Sequence, residues 1–287
     1  MAVPTRSEAE SLAGRLPPLL VAAERVAATV AQGVHGRRRV GQGDSFWQFR
    51  PYLPGDPASR IDWRETAKTD KPYIRENEWD AAQSVWLWAD RSPSMHWASS
   101  RTLPQKAERA ALLALALAAL LQRGGERVAA LVPGHRPSAG RQALDRLAGT
   151  LAAETGSLPA VLPLPRHAEL VLIGDFLGPL DETRRLVSAY LDRGVDGHLV
   201  QLLDPAEETL PYAGRIRFEG LEGEASLLVS RADAIRERYQ ERLAEHRAGL
   251  GEIARSAGWS MMRHHTDRPA AEALLALWAH LAQAGRG

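Results

Sequence analysis

Asp90-Arg91-Ser92-Pro93-Ser94 follows the apolar run Val85-Trp86-Leu87-Trp88-Ala89 without a gap. One carboxylate and two hydroxyls, at alternate positions, leave the end of what reads as a buried strand. Such a loop aims three hard oxygen donors at one point, as a magnesium-like ion requires. Asp175 leaves a second apolar run, Leu170-Val171-Leu172-Ile173-Gly174, in the same way. If those strands are neighbours, the two acids meet at one edge of a sheet. The loop also has a plainer reading, because aspartate and serine after a strand are common turn and helix-cap residues.

The elements that would position these side chains read as an alternation of strands and helices from residue 85 onward. Val85–Ala89, Arg127–Val132, Leu170–Ile173, Gly197–Leu203 and Trp259–Arg263 have strand character. Between and after them, Gln105–Arg123, Arg141–Leu151, Asp181–Asp192, Asp233–Ala257 and Pro269–Ala284 have helical character. Gln105–Arg123 is rich in alanine and leucine on every face, which marks a buried helix. Phe218 and Leu227–Val229 suggest a short peripheral hairpin. This rhythm predicts a doubly wound α/β fold, a Rossmann-like, largely parallel sheet covered on both faces. In such sheets ligands bind outside the carboxyl ends of the strands, where the strand order reverses. Asp90 and Asp175 both occupy strand ends of that kind.

Residues 81–287 are therefore read as the main domain, and residues 1–80 as a smaller, partly β extension packed on it. Residues 7–31 read as a helix broken near Pro17-Pro18, and Tyr73–Glu78 as a strand. Trp47, Trp63, Trp79, Trp86, Trp88 and Trp97 all fall between residues 47 and 97, six of the eight tryptophans. Rings concentrated in this way predict a cluster that anchors an irregular segment.

At 287 residues, with 45% hydrophobic and 25% charged residues, the chain has the composition of an ordinary soluble protein. Lysine plus arginine number 36 against 35 aspartates and glutamates, so no bulk field draws nucleic acid or anionic membrane. The absence of cysteine excludes disulfides, thiolate metal sites and cysteine nucleophiles. There is no signal-peptide pattern at the N-terminus. The longest apolar stretch, Ala110 to Leu121, falls well short of the roughly 20 residues of a membrane span. The expectation is a cytoplasmic protein without direct membrane insertion.

The stretch from His35 to Met95 resembles a known family. It carries Gly36, Gly41, Gly43 and Phe46, then Arg50-x-Tyr52-x-x-Gly55-Asp56, then Arg60-Ile61-Asp62-Trp63. Ala67-Lys68 and Ile74-Arg75-Glu76-x-Glu78 follow. This pattern resembles the signature of the bacterial domain-of-unknown-function family number 58 (DUF58), whose members carry a von Willebrand factor A-like domain. The likeness continues more loosely through Gly174-Asp175-Phe176, Asp204-Pro205-x-Glu207 and His265-Thr266-Asp267. It implies a metal-ion-dependent adhesion site (MIDAS), with Asp90, Ser92 and Ser94 matching the first loop and Asp175 the late acidic position. The implied cofactor is a divalent cation, Mg2+ or else Mn2+ or Ca2+. Such sites also take a threonine from an intermediate loop. Here that region reads Pro133-Gly134-His135-Arg136-Pro137-Ser138-Ala139-Gly140, with Ser138 the available hydroxyl.

A cation held by few anionic ligands stays electrophilic, and an acidic side chain of a partner can complete its shell. The arrangement supplies neither nucleophile nor base, so it suits recognition rather than turnover. Short enzyme motifs are missing: there is no Gly-x-Ser-x-Gly elbow, no phosphate loop and no His-Glu-x-x-His. Arg50, Asp56, Arg60, Asp62, Arg64 and Glu65 alternate in sign, which favours internal pairing over a nucleic-acid groove. Arg37-Arg38-Arg39 reads as a solvated loop. His264 and His265 are adjacent on a strand, so they point to opposite faces and do not chelate one ion.

The expected function is a non-catalytic protein-interaction module. The resemblance points to a MoxR-type AAA+ ATPase as partner, with or without a client protein, in protein assembly or maturation. Two alternatives stand beside it. One is a metal-dependent hydrolase at the same acidic edge, with His96 as its added group. The other is a structural scaffold whose Asp-Ser-Ser loop only caps a helix.

Overall fold

The computed structural model describes residues 21, 23–28, 30, 46–52, 61–68, 71–77, 84–153, 156–221, 223 and 225–284. The chain divides into a smaller unit over residues 35–83 and a larger one formed by the remainder. In the smaller unit, strand β1 (Phe46–Pro51) pairs antiparallel with β2 (Tyr73–Asn77), with an irregularity between Phe46 and Gln48. The short helix α1 (Trp63–Thr66) lies between them in sequence. The backbone NH of Tyr73 donates to Thr66 Oγ1 at 3.0 Å, and Asp62 Oδ1 accepts from the Arg64 backbone NH at 3.0 Å. Gly36, Gly41, Gly43, Gly55, Asp56, Arg60 and Glu78 of the signature lie outside the described residues, as do Arg37-Arg38-Arg39.

The larger unit is a mixed α/β body around one parallel sheet of five strands. These are β3 (Ser84–Ala89), β4 (Arg127–Ala130), β5 (Glu169–Gly174), β6 (Asp196–Leu203) and β9 (Ser260–His265), in the spatial order β4-β3-β5-β6-β9. From β3 the chain goes to one side for β4 and returns to the other for β5. The order therefore reverses between β3 and β5, and Asp90 and Asp175 leave those two strands. Ala89 pairs with Ile173, which brings the two ends to the same level.

Side-chain alternation divides the core between the two faces. Val85, Leu87, Ala89, Val171, Ile173, Val200 and Leu202 pack with helices α2 (Lys106–Arg123), α3 (Arg141–Ala153) and α7 (Ala270–Ala284). Ala23, Ala27 and Val30, among the helical residues 21, 23–28 and 30, join this face. Trp86, Trp88, Leu170, Leu172 and Leu199 pack with helices α4 (Leu180–Leu191) and α6 (Ala232–Ser256). Covering on both faces explains the unbroken apolar runs Val85–Ala89 in β3 and Leu170–Gly174 in β5. Helix α2 buries thirteen of its residues, and its alanines allow close approach to the sheet and to its helical neighbours.

Among the described residues, the tryptophans do not gather into one anchor. Trp86 and Trp88 stand two positions apart on β3 and so enter the same core face. Trp63 is 68% exposed. Trp97 lines a cavity described below. The side chains of Trp47 and Trp79 lie outside the described residues. Strands β7 (Ile216–Phe218) and β8 (Leu227–Val229) form the peripheral antiparallel hairpin. Among the described residues, no helix is long and apolar enough to cross a membrane.

Candidate functional site

Asp90 is fully buried one residue beyond β3. Its backbone NH donates to the Ile173 carbonyl at 2.8 Å, adding a rung to the β3–β5 ladder. Oδ1 accepts from the Ser92 NH at 2.7 Å, which turns the chain sharply. A 3-10 turn over Pro93–His96 then brings Ser94 round, with proline fixing its first step. Ser92 Oγ and Ser94 Oγ are 3.0 Å apart, and Ser94 Oγ donates to Asp175 Oδ2 at 3.0 Å. The two hydroxyls and the late acid therefore form one hydrogen-bonded chain, with Asp90 fixing its start.

Gly174 allows this approach. A Cβ there would stand 3.0 Å from Asp90 Cβ and 3.2 Å from Asp90 Oδ2. After Asp175, Phe176 adopts φ 50°, a left-handed conformation uncommon for a bulky residue. The turn is held by contacts on both sides: Gln201 Nε2 donates to the Asp175 carbonyl at 3.0 Å, and His246 Nε2 lies 2.6 Å from the Phe176 carbonyl.

Two further charged residues complete the site: Glu207, which the sequence placed only within the looser family likeness, and Lys106, which it did not bring out. Lys106 opens helix α2 and is wholly buried. Its Nζ donates to Asp175 Oδ2 at 2.9 Å and to Glu207 Oε1 at 2.5 Å. Glu207 belongs to the five-residue helix α5 (Pro205–Thr209) beyond β6. Its other oxygen, Oε2, accepts from the Asp204 NH at 2.8 Å, while Asp204 Oδ1 accepts from the Ala206 NH at 2.8 Å. This is a reciprocal capping box, so Asp204-Pro205-x-Glu207 is a helix start that also carries a site residue. That pattern was the available signal for Glu207. For Lys106 the signal was a single lysine at the head of a helix otherwise buried on all sides.

Burial alone would pull the Lys106 amine below the ordinary lysine range; the charges and hydrogen bonds of Asp175 and Glu207 reverse this and hold it above. Burial also lifts the Glu207 carboxyl above its ordinary value, with Lys106 acting against it. An ammonium at the amino end of a helix opposes the helix dipole, so the two carboxylates must also offset that cost.

Four oxygen-bearing side chains thus converge, but as a set they do not fit a divalent cation. The donors are hard enough. However, the Asp175 oxygen that faces Ser94 is already shared with an ammonium, and a dication on that oxygen would stand beside a buried like charge. Ser138, the available hydroxyl of the intermediate loop, is engaged elsewhere. Its backbone bridges to Val128, and its Oγ accepts from Arg146 Nη2 at 2.8 Å. Val128 pairs with Val85, five residues before Asp90, so Ser138 sits about 16 Å back along the strand direction at roughly 3.3 Å per residue. Among the described residues, no group of three or more His, Asp or Glu is arranged to hold a metal ion.

The remaining candidates have other partners. His96 is exposed at the end of the 3-10 turn. His264 Nε2 lies 3.1 Å from Arg109 Nη1, whereas His265 contacts Glu208. The two rings thus go to different neighbours, as expected for adjacent strand positions. At the other end of the sheet, Ser260, His198 and Glu169 form a linked set. His198 Nδ1 is 2.7 Å from Ser260 Oγ, and Nε2 is 2.9 Å from Glu169 Oε2. His198 and Glu169 are both buried, and the set cross-links three strands.

Beside Ser94 and Glu207 opens a cavity of about 720 Å³. Trp97, Tyr212, Phe218 and Tyr239 give it an aromatic lining, and Leu221 and Leu227 of the hairpin region form part of its wall. Those leucines are 50% and 60% exposed. The Tyr239 hydroxyl donates to the Glu207 carbonyl. Its ionisation is pushed up to about 12, by burial first and then by the Glu207 charge.

The chain is 28% identical over 257 residues to the uncharacterized protein Rv1480 of Mycobacterium tuberculosis and, equally, to Mb1516 of Mycobacterium bovis. The match covers 83% of this chain and 80% of each relative. Among solved structures, BatB from Bacteroides thetaiotaomicron aligns with a TM-score of 0.40 at 14% identity, over 71% of this chain and 100% of that one. An aerotolerance-related membrane protein from Bacteroides fragilis aligns with the same TM-score, 0.40, over 70% and 99%. Residues 48–249 match the family described as "Protein of unknown function DUF58", and the chain belongs to that family.

Proposed function

We propose that this chain is a non-catalytic protein-interaction module of von Willebrand factor A-like type. It docks a protein partner at the carboxyl edge of its sheet. The partner proposed is a MoxR-type AAA+ ATPase, alone or with a client, in protein assembly or maturation. The observation that carries this reading is the large, aromatic-lined cavity opening directly beside Ser94 and Glu207, with exposed leucines on its wall. Exposed apolar surface next to a polar cluster is the usual composition of a recognition site.

The acids at this edge also suit binding more than turnover. Asp175 Oδ2 accepts from Ser94 and Lys106, its Oδ1 accepts from the Leu177 NH at 3.3 Å, and both oxygens of Glu207 accept internal donors. A carboxylate engaged on both oxygens is a poor general base.

The test is association of the purified chain with a purified MoxR-type ATPase, measured by surface immobilisation. Leu227→Lys places a charge on the cavity wall at an exposed position. It should weaken association by about tenfold, or ~1.4 kcal/mol, with an unchanged melting temperature. Equal affinity of the variant, or no association by the wild type, would sink the reading.

A further inference from the structure

We infer that the ammonium of Lys106 takes the cation position of this edge, so that the site is assembled without a divalent metal. The inference concerns the site itself and rests on the reading of this edge as a docking site, but not on which partner docks there. Three observations carry it. Nζ shares Asp175 Oδ2 with Ser94 Oγ, the oxygen through which the late acid would face an ion held by the serine loop. Its second bond, to Glu207, ties it to a third element, and the side chain has no exposed surface. It is therefore not a surface lysine that has swung in.

The third observation is the fixed point from which the side chain reaches. Gln105, immediately before it, is the N-cap of helix α2: its carbonyl accepts from the Arg109 NH at 3.0 Å and its NH donates to Glu108 Oε2 at 3.4 Å. Separately, the available hydroxyl of the intermediate loop, that of Ser138, accepts from Arg146 and is not at the edge. An ion would thus lose one ligand and meet a resident positive charge. These two departures from a metal site are independent, and both point the same way.

The test is titration with Mn2+ alone, followed by electron paramagnetic resonance of the free ion. Wild-type protein should leave the Mn2+ signal no more reduced than Asp90→Asn does. Lys106→Met, which keeps the length and removes the charge, should bind Mn2+ at least about tenfold more tightly than wild type. Adding Asp90→Asn to it should abolish the gain. A one-to-one Mn2+ site in wild type that Asp90→Asn removes would overturn the inference, as would a folded Lys106→Met protein with no gain. If circular dichroism shows Lys106→Met unfolded, the comparison of wild type with Asp90→Asn decides alone. Association with the ATPase should also survive chelator, and its loss would count against the inference. A chain that captures no ATPase at all refutes the functional reading, while the Mn2+ titration still decides this one.

Discussion

Lys106 Nζ lies 2.9 Å from Asp175 Oδ2, although the two residues are 69 positions apart in the chain. The contact joins the first residue of the central helix to the turn after the central strand. Removing one partner of a buried ion pair costs more than the pair contributes, because the other charge stays buried. Lys106→Met leaves Asp175 and Glu207 facing each other without a counter-ion. Urea denaturation should show a loss of about 3–5 kcal/mol at neutral pH. The loss should shrink in mildly acidic buffer, because burial already raises the Glu207 carboxyl and it takes up a proton more readily.

Gly174 and Gly197 test two close approaches of different severity. A Cβ at Gly174 would press on Asp90 at 3.0 Å, a side chain that can yield slightly. Gly174→Ala should cost about 1–3 kcal/mol and shift the Asp90 loop. A Cβ at Gly197 would stand 2.3 Å from the Trp259 ring, which is buried, and whose Nε1 donates to the Val195 carbonyl at 3.2 Å. Gly197→Ala should therefore be the more destabilising of the two, and should change the tryptophan emission. Equal melting temperatures for the two variants would contradict this.

His264 gives the protein a definite pH response. Burial, then the Arg109 charge, pushes its ring down to about 4 from the usual 6.5. The native state thus holds the ring neutral, while the unfolded chain binds a proton below about pH 6.5. This contribution is fully present above about pH 6.5 and is lost as pH falls towards about 4. The change should be on the order of 2 kcal/mol, since partial solvent screening reduces it. His264→Gln should flatten the dependence of the melting temperature on pH over that window. An unchanged slope would show that another group is responsible.

His198 links Glu169 on β5 to Ser260 on β9 from its own strand, β6. His198→Leu would leave the Glu169 carboxylate buried without this partner. A loss of about 2–4 kcal/mol is expected, and Glu169→Gln in the same background should recover part of it. Failure of the second change to recover stability would place the cost in packing around the ring.

The architecture was largely legible in the sequence because buried parallel strands and amphipathic helices have distinct periods. Val85–Ala89 and Leu170–Gly174 could be recognised as core strands by their unbroken apolar character, and the order reversal between them places both acids together. What was missed had short or local signals. Strand β1 contains proline and follows a glycine-rich stretch, and helix α5 spans five residues. Lys106 was hidden because a single lysine among alanines and leucines reads as a solvated end, and only tertiary placement shows that it is enclosed. The tryptophans misled in the opposite way: closeness in sequence suggested one cluster, but strand alternation committed Trp86 and Trp88 to the sheet core.

The start of helix α2 has a mechanical consequence. One nitrogen atom rivets three segments that the chain order keeps far apart: the head of the central helix, the turn after β5 and the short helix after β6. Glu207 also lies on the cavity wall, so that nitrogen is bonded to a residue of the cavity as well. Asp175 and Ser94 continue the same set of bonds to the serine loop beyond β3. The cavity wall and the Asp90 turn are thus parts of one bonded framework, joined through Glu207, Lys106, Asp175 and the two serines.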